Sequence, residues 1–160
     1  MGRAEEIRQL LDERSSRVGP SPTMLATVQS VDTAEATCVL YDEETDLEYY
    51  DVRLRPVIDA KESFTIFPKK GSWCLAARIE NTDEWMVLAC SEADKWRLKI
   101  DNSVVEQDAT GLLIQKQSDT LRQALELIIQ AVMKVVVVQG QNPDYAKLQQ
   151  ALTKIQNILR

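Results

Sequence analysis

The side chains that could do chemistry in this chain are three cysteines, three tryptophans, 25 acidic residues and one Lys-Lys-Gly-Ser run. Histidine is absent. That removes His general acid–base catalysis, a Ser-His-Asp or Cys-His nucleophile, and any metal site built on imidazole. Cys38, Cys74 and Cys90 lie far apart, each inside an apolar run. This placement predicts free buried thiols in a reducing compartment rather than a disulfide framework or a metal site. Lys69-Lys70-Gly71-Ser72 lacks the spacing of a phosphate loop, and no Gly-rich dinucleotide motif occurs. The run Asp42-Glu43-Glu44-Thr45-Asp46 lacks the alternating ligands and the Gly of a calcium loop, so it reads as a solvated turn. Trp73, Trp85 and Trp96 are a candidate platform for bases or sugars. Each alternates with Leu, Val or Ile of its own run, however, which predicts core or interface packing. Many folds can bring two carboxylates together for glycoside hydrolysis, and nothing in the spacing singles out a pair. We therefore expect no catalytic residues, no metal site and no cofactor.

The elements that would position these side chains follow from period and turn chemistry. The chain has 160 residues, 44% apolar and 28% charged, which suits one domain with an appendage. Its net charge of −6 disfavours nucleic acid as a partner. No apolar run reaches the ~18–20 residues of a membrane helix. The N-terminal run MGRAEEIRQLLDERSSR has no apolar signal core, so we expect no secretory signal and no membrane anchor. Residues 3–15 read as a short helix with Ala4, Ile7, Leu10 and Leu11 on one face, and Gly19-Pro20-Ser21-Pro22 as a stiff linker.

Five runs, 24–31, 36–41, 47–54, 72–79 and 85–90, alternate with period two between polar turns, which predicts antiparallel strands. Five strands with one long connection between the third and fourth fit a small closed barrel of OB type. The connection at 56–71, with two prolines and Phe64, Ile66 and Phe67, is expected to be irregular. Residues 95–117 read as three short strands turned at Asp101-Asn102 and at Asp108-Ala109-Thr110-Gly111. Such a ribbon is marginal in water on its own. It becomes reasonable if three copies wrap around one axis, each supplying an apolar row.

Residues 119–160 read as an antiparallel helical hairpin. Leu121, Leu125, Ile128, Val132 and Val135 recur at four and three residues, as do Tyr145, Leu148, Leu152, Ile155 and Leu159, which matches a coiled-coil seam. The first helix has a second apolar row, Ala124, Leu127, Ala131 and Val138, so one partner helix cannot cover it. It is expected to extend to about residue 137, although the four valines at 135–138 could end it early or turn into strand. Asn142 and Pro143 are the expected start of the second helix.

Three runs carry a resemblance. Phe67-Pro68-Lys69-Lys70-Gly71-Ser72-Trp73-Cys74-Leu75-Ala76, then Arg78-Ile79-Glu80-Asn81, then Val87-Leu88-Ala89-Cys90-Ser91-Glu92-Ala93-Asp94-Lys95 resemble the OB barrel of phage tail baseplate and spike proteins. In that group a Pro-x-x-Gly-Ser turn enters a barrel strand, and a strand ending in Ser-Glu-x-Asp-Lys passes into a spike stem. The likeness covers about residues 24–117. Spike tips there often carry a His-x-His metal site, which a chain without histidine does not have, and the stem here is shorter than a piercing needle.

The expected organisation is a helix and linker at 1–22, a barrel at 23–94, a stem at 95–117 and a helical hairpin at 118–160, mainly β with α. The expected function is a non-enzymatic structural component of a phage or prophage tail baseplate or spike, assembling as a homotrimer and contacting other tail proteins. The expected interface residues are Trp96, Leu98, Ile100, Leu112, Ile114, Leu121, Leu125, Ile128 and Val132. The expected location is the cytoplasm during assembly and then the virion. The alternatives are an OB-fold module binding single-stranded nucleic acid or a saccharide, and a cell-wall hydrolase.

Overall fold

The computed structural model describes Glu5, Ile7, Arg8 and Leu10, and residues 22–56, 62–80, 82–136, 138 and 140–160. The first four are helical, with Ile7 and Leu10 exposed. The rest of the expected helix at 3–15, and the linker up to Ser21, lie outside the described residues.

Ten strands and two helices follow. They are β1 (Thr23–Asp32), β2 (Thr37–Asp42), β3 (Leu47–Arg53), β4 (Ser63–Pro68), β5 (Trp73–Arg78), β6 (Trp85–Cys90), β7 (Ala93–Ile100), β8 (Ser103–Asp108), β9 (Gly111–Lys116), β10 (Asp119–Thr120), α1 (Leu121–Met133) and α2 (Tyr145–Ile158). The strands form two sheets. The first closes into a barrel in the order β1-β2-β3-β6-β5. Its neighbours are antiparallel except β3 and β6, which run parallel where Arg53 meets Met86. This is the expected five-stranded barrel, and the chain ends in the expected helical pair.

A five-stranded barrel has a narrow interior, and its filling is selective. Val28, Cys38, Leu40, Val52, Cys74 and Ala76 are buried there. The inward positions of β5 are therefore the small ones, while Trp73 and Leu75 point outward and are exposed. The turn at 42–46 is closed by Asp42, whose carboxylate accepts from the Glu44 N–H at 2.9 Å and the Thr45 hydroxyl at 2.8 Å. Asp46 there adopts a positive φ of 57°, which a short polar side chain tolerates best after glycine.

The long connection after β3 differs from its expectation. Residues 63–68 form β4, which leaves the barrel and joins the second sheet, ordered β10-β9-β8-β7-β4. The alternation Phe64-Thr65-Ile66-Phe67 explains it: Thr65 and Phe67 are buried, Phe67 within the barrel core, and Phe64 and Ile66 are exposed. Pro68 is the last residue of β4, where the ladder to β7 shifts register. The stem is thus five strands rather than three. Its β7–β8 hairpin turns at Asp101-Asn102 as expected, with Asp101 at φ 49°.

The helices also differ in detail. α1 is capped by Thr120, whose hydroxyl accepts from the Gln123 N–H while the Gln123 side chain accepts from the Thr120 N–H. α1 ends at Met133 rather than 137, because β-branched valines follow and the Lys134 and Val135 N–H groups already turn back to the Ala131 and Val132 carbonyls, three residues earlier. Of the run 135–138, Val137 lies outside the described residues. α2 starts later than expected: Asp144 caps it, accepting from the Lys147 N–H at 3.1 Å, and Asn142 and Pro143 precede the cap. The helices run antiparallel. Arg122 donates to the Leu159 carbonyl, Gln156 to Glu126, and the Tyr145 hydroxyl to the Val135 carbonyl.

The residue that α1 buries is Ile129, which neither apolar row contained. α2 lies on the side of α1 that carries Arg122, Glu126 and Ile129. Leu121, Ile128 and Val132 therefore face away from α2, and Leu125 is half-buried between the two sides. Of the expected second row, Leu148, Leu152 and Ile155 are half-buried and Leu159, the C-cap of α2, is buried, whereas Tyr145 is exposed.

Candidate functional site

Directly opposed residues on antiparallel strands project to the same face of a sheet. In the second sheet one such row is Phe64, Leu98, Val105 and Ile114, on β4, β7, β8 and β9. The next is Ile66, Trp96, Gln107 and Leu112, and Ile100 opposes Ser103 beyond them. Every stem residue expected at an interface, Trp96, Leu98, Ile100, Leu112 and Ile114, therefore lies on one face. β4 adds Phe64 and Ile66, which the expected set lacked; their alternation was the available signal.

This face is apolar and open. Phe64 and Ile100 are each 56% exposed, and Ile66 40%. The Phe64 and Trp96 rings stand 6.1 Å apart, and the half-buried Trp96 donates its N–H to Gln107 at 3.2 Å. The surface continues onto the barrel in a groove of about 270 Å³ lined by Leu54, Phe64, Ile66, Met86 and Leu88. A separate apolar strip lies on the barrel wall, where Leu25 opposes Leu75 and Leu75 opposes Ala89.

The opposite face has another chemistry. Its rows carry Thr65, Arg97, Glu106 and Leu113, and Phe67, Lys95, Asp108 and Gly111. The barrel covers it at β4 through Phe67, and the C-terminal Arg160 covers it at β8. Glu106 is buried and accepts from both Arg97 and Arg160, and Arg160 also donates to Asp108. Burial pushes the Glu106 carboxyl up, but the two guanidinium hydrogen bonds outweigh it and hold it below the usual carboxylate range. Asp108 is lowered chiefly by the Thr110 hydroxyl and N–H, and further by Arg160. The Arg160 N–H donates to the Leu112 carbonyl at 3.2 Å, tying α2 to β9.

A depressed carboxyl pKa stabilises the fold above its unfolded value, and that contribution is lost as pH falls through the folded value. Glu106→Ala should therefore lower stability at neutral pH by about 1–3 kcal/mol, the range for hydrogen bonds to charged groups. It should also flatten the acid limb of a pH–stability curve measured by urea unfolding. An acid limb identical to the parent's would contradict the assignment.

The remaining candidates for chemistry do not assemble. Ser72 is buried and its hydroxyl has no hydrogen-bond partner, so no base activates it. Among the described residues no three His, Cys, Asp or Glu side chains are grouped to hold a metal ion. Trp85 is buried against the Tyr49 ring edge with the Arg78 guanidinium over it, Trp73 is on the barrel wall, and Trp96 is on the second sheet. They form no common platform.

The three cysteines are free, and Cys74 and Cys90 oppose each other across β5 and β6. Burial pushes the Cys38 and Cys74 thiols up to about 12 and also raises that of Cys90. A raised pKa starves the reactive thiolate. Native protein at pH 8 should therefore react slowly with Ellman's reagent, and three thiols should appear at once in denaturant. Rapid native reaction of all three would contradict this burial.

No described helix is long and apolar enough to cross a membrane. Comparison with family models, curated proteins and solved structures finds no match to this chain.

Proposed function

We propose that this chain is a non-enzymatic structural component of a phage or prophage tail baseplate or spike, and that it assembles as a homotrimer. The observation that carries the assembly is the open apolar face of the second sheet. Phe67 and Arg160 pack on the charged face of that sheet, and among the described residues nothing covers the apolar one. Each large side chain left in water forgoes roughly 1.5–3 kcal/mol of burial, and a contiguous patch of this kind marks an interaction site. Three copies closing around an axis bury the face as a filled prism, whereas two would leave the ribbon edges open. The tail assignment itself is supported by the likeness of residues 67–95 to the barrel and stem entry of spike proteins, within a fold that has the barrel, the stem and the order between them.

In this reading the barrels and the outer apolar strip at Leu25 and Leu75 meet other tail proteins. The chain folds in the cytoplasm of the producing cell and is carried in the virion. Deleting the coding sequence from the genome that carries it tests the assignment. Electron microscopy should then show particles with missing or incomplete tails, restored by the gene in trans. Complete, infectious particles would refute it.

A further inference from the structure

We propose that α1 is the inner helix of a parallel coiled coil formed by copies of this chain, with α2 on the outside. The structure divides α1 into two faces. One, with Arg122, Glu126 and Ile129, is taken by α2. The other carries Leu121, Ala124, Ile128 and Ala131, all exposed, at spacings of three, four and three. That is the spacing of a coiled-coil seam along the length of α1, and it fits a second helix with the same spacing.

The occupant follows from what is left over. The second helix of this chain has its own row, Leu148, Leu152 and Ile155, turned toward α1 already. Among the described residues the seam on the far side of α1 is therefore unpartnered, and the helix whose spacing matches it is α1 of another copy. Charge agrees. The chain carries a net charge of −6, so copies repel over most of their surface. Both charges of α1, Arg122 and Glu126, lie on the α2 side and pair with each other at 3.0 Å. From Leu121 to Met133 the open stripe has no charge to repeat against itself. Its flanking positions, Leu125, Leu127 and Val132, are apolar as well, which widens the contact beyond a two-helix seam.

The direction follows from connectivity. Thr120 is both the last residue of β10 and the N-cap of α1, so no linker separates the helix from the sheet. Copies arranged about one axis by their sheets start their helices at one level and in one direction. The inference rests on the homotrimer proposed above for that common axis.

The test is disulfide trapping in the full chain under a mild oxidant. Leu121→Cys is near the start of the seam, so it meets itself only in a parallel arrangement. Gln130→Cys is exposed on the far side of the helix. Leu121→Cys should give at least ~10-fold more covalent two-chain product than Gln130→Cys or the parent, whose Cys38 and Cys74 are buried and whose Cys90 is half-buried in the barrel sheet, because a disulfide needs closely approached Cβ atoms. Light scattering of the reduced variants should match the parent mass. No excess product from Leu121→Cys, with a trimeric parent, would overturn the seam and leave the trimer standing. Product only on mixing Leu121→Cys with Ala131→Cys would mean antiparallel helices and would also overturn it. A monomeric parent would overturn trimer and seam together.

Discussion

A Leu98→Asp chain is expected to be a folded monomer. Leu98 lies in the middle of the open face, between Phe64 on β4 and Val105 on β8. In the proposed trimer the substitution would place one carboxylate per copy near a dry axis, where three like charges would converge. A buried charge without a partner costs on the order of 3–5 kcal/mol, and three around one axis exceed what the interface can offset. In a single chain the same residue is only half-buried on an open surface, so the carboxylate stays hydrated and the barrel is untouched. The neighbouring Lys99 belongs to the other face and is exposed, so Lys99→Asp should leave the assembly intact. Light scattering reads the mass, and near-ultraviolet circular dichroism reads the packing of Trp85 against Tyr49 in the barrel. A Leu98→Asp protein with the parent mass would mean that copies do not meet on this face.

Leu40→Ala should produce the largest loss of stability in the barrel. Leu40 is 0% exposed, and among the described residues it is the largest side chain with so little surface. It opposes Val28 on β1 and Tyr49 on β3, so hydrogen-bonded ladders hold it on both sides. A closed ladder cannot collapse into the void, so the cost should fall in the range of about 2–5 kcal/mol for large-to-small core changes. That is a large part of the ~5–15 kcal/mol that holds a typical domain together. Leu25→Ala, on the outer wall and 59% exposed, should cost less than about 1 kcal/mol. Urea unfolding of the two variants separates them; equal losses would mean that the barrel interior is not where the strand order places it.

The barrel was legible because its strands alternate over short runs between polar turns. The pattern of Cys38 and Leu40 against Thr37 and Val39 is visible without any partner. The Asp101-Asn102 turn was legible for the same local reason. What was hidden depends on partners far along the chain. β4 needs β7, and the pairing of Phe64 with Leu98 leaves no mark in either run. The outward position of Trp73 follows from the narrow bore of a five-stranded barrel, which only the closed sheet imposes. Arg97, Glu106 and Arg160 come together because α2 returns to the edge of β9. The same return decides which side of α1 is covered, and so makes Ile129 rather than Ile128 the buried residue. That Trp96, Leu98, Ile100, Leu112 and Ile114 share one sheet face was legible because the face of a strand follows from parity; that Phe64 and Ile66 join them was not, because β4 was read as a connection.

The central claim is that this chain is completed by copies of itself. Multi-angle light scattering on the purified full chain, across a dilution series, tests it most directly. The predicted result is a single species of three times the 18.1 kDa chain mass that persists on dilution. A mass of one chain would contradict any assembly through the open sheet face, and a mass of two would contradict the three-fold stem.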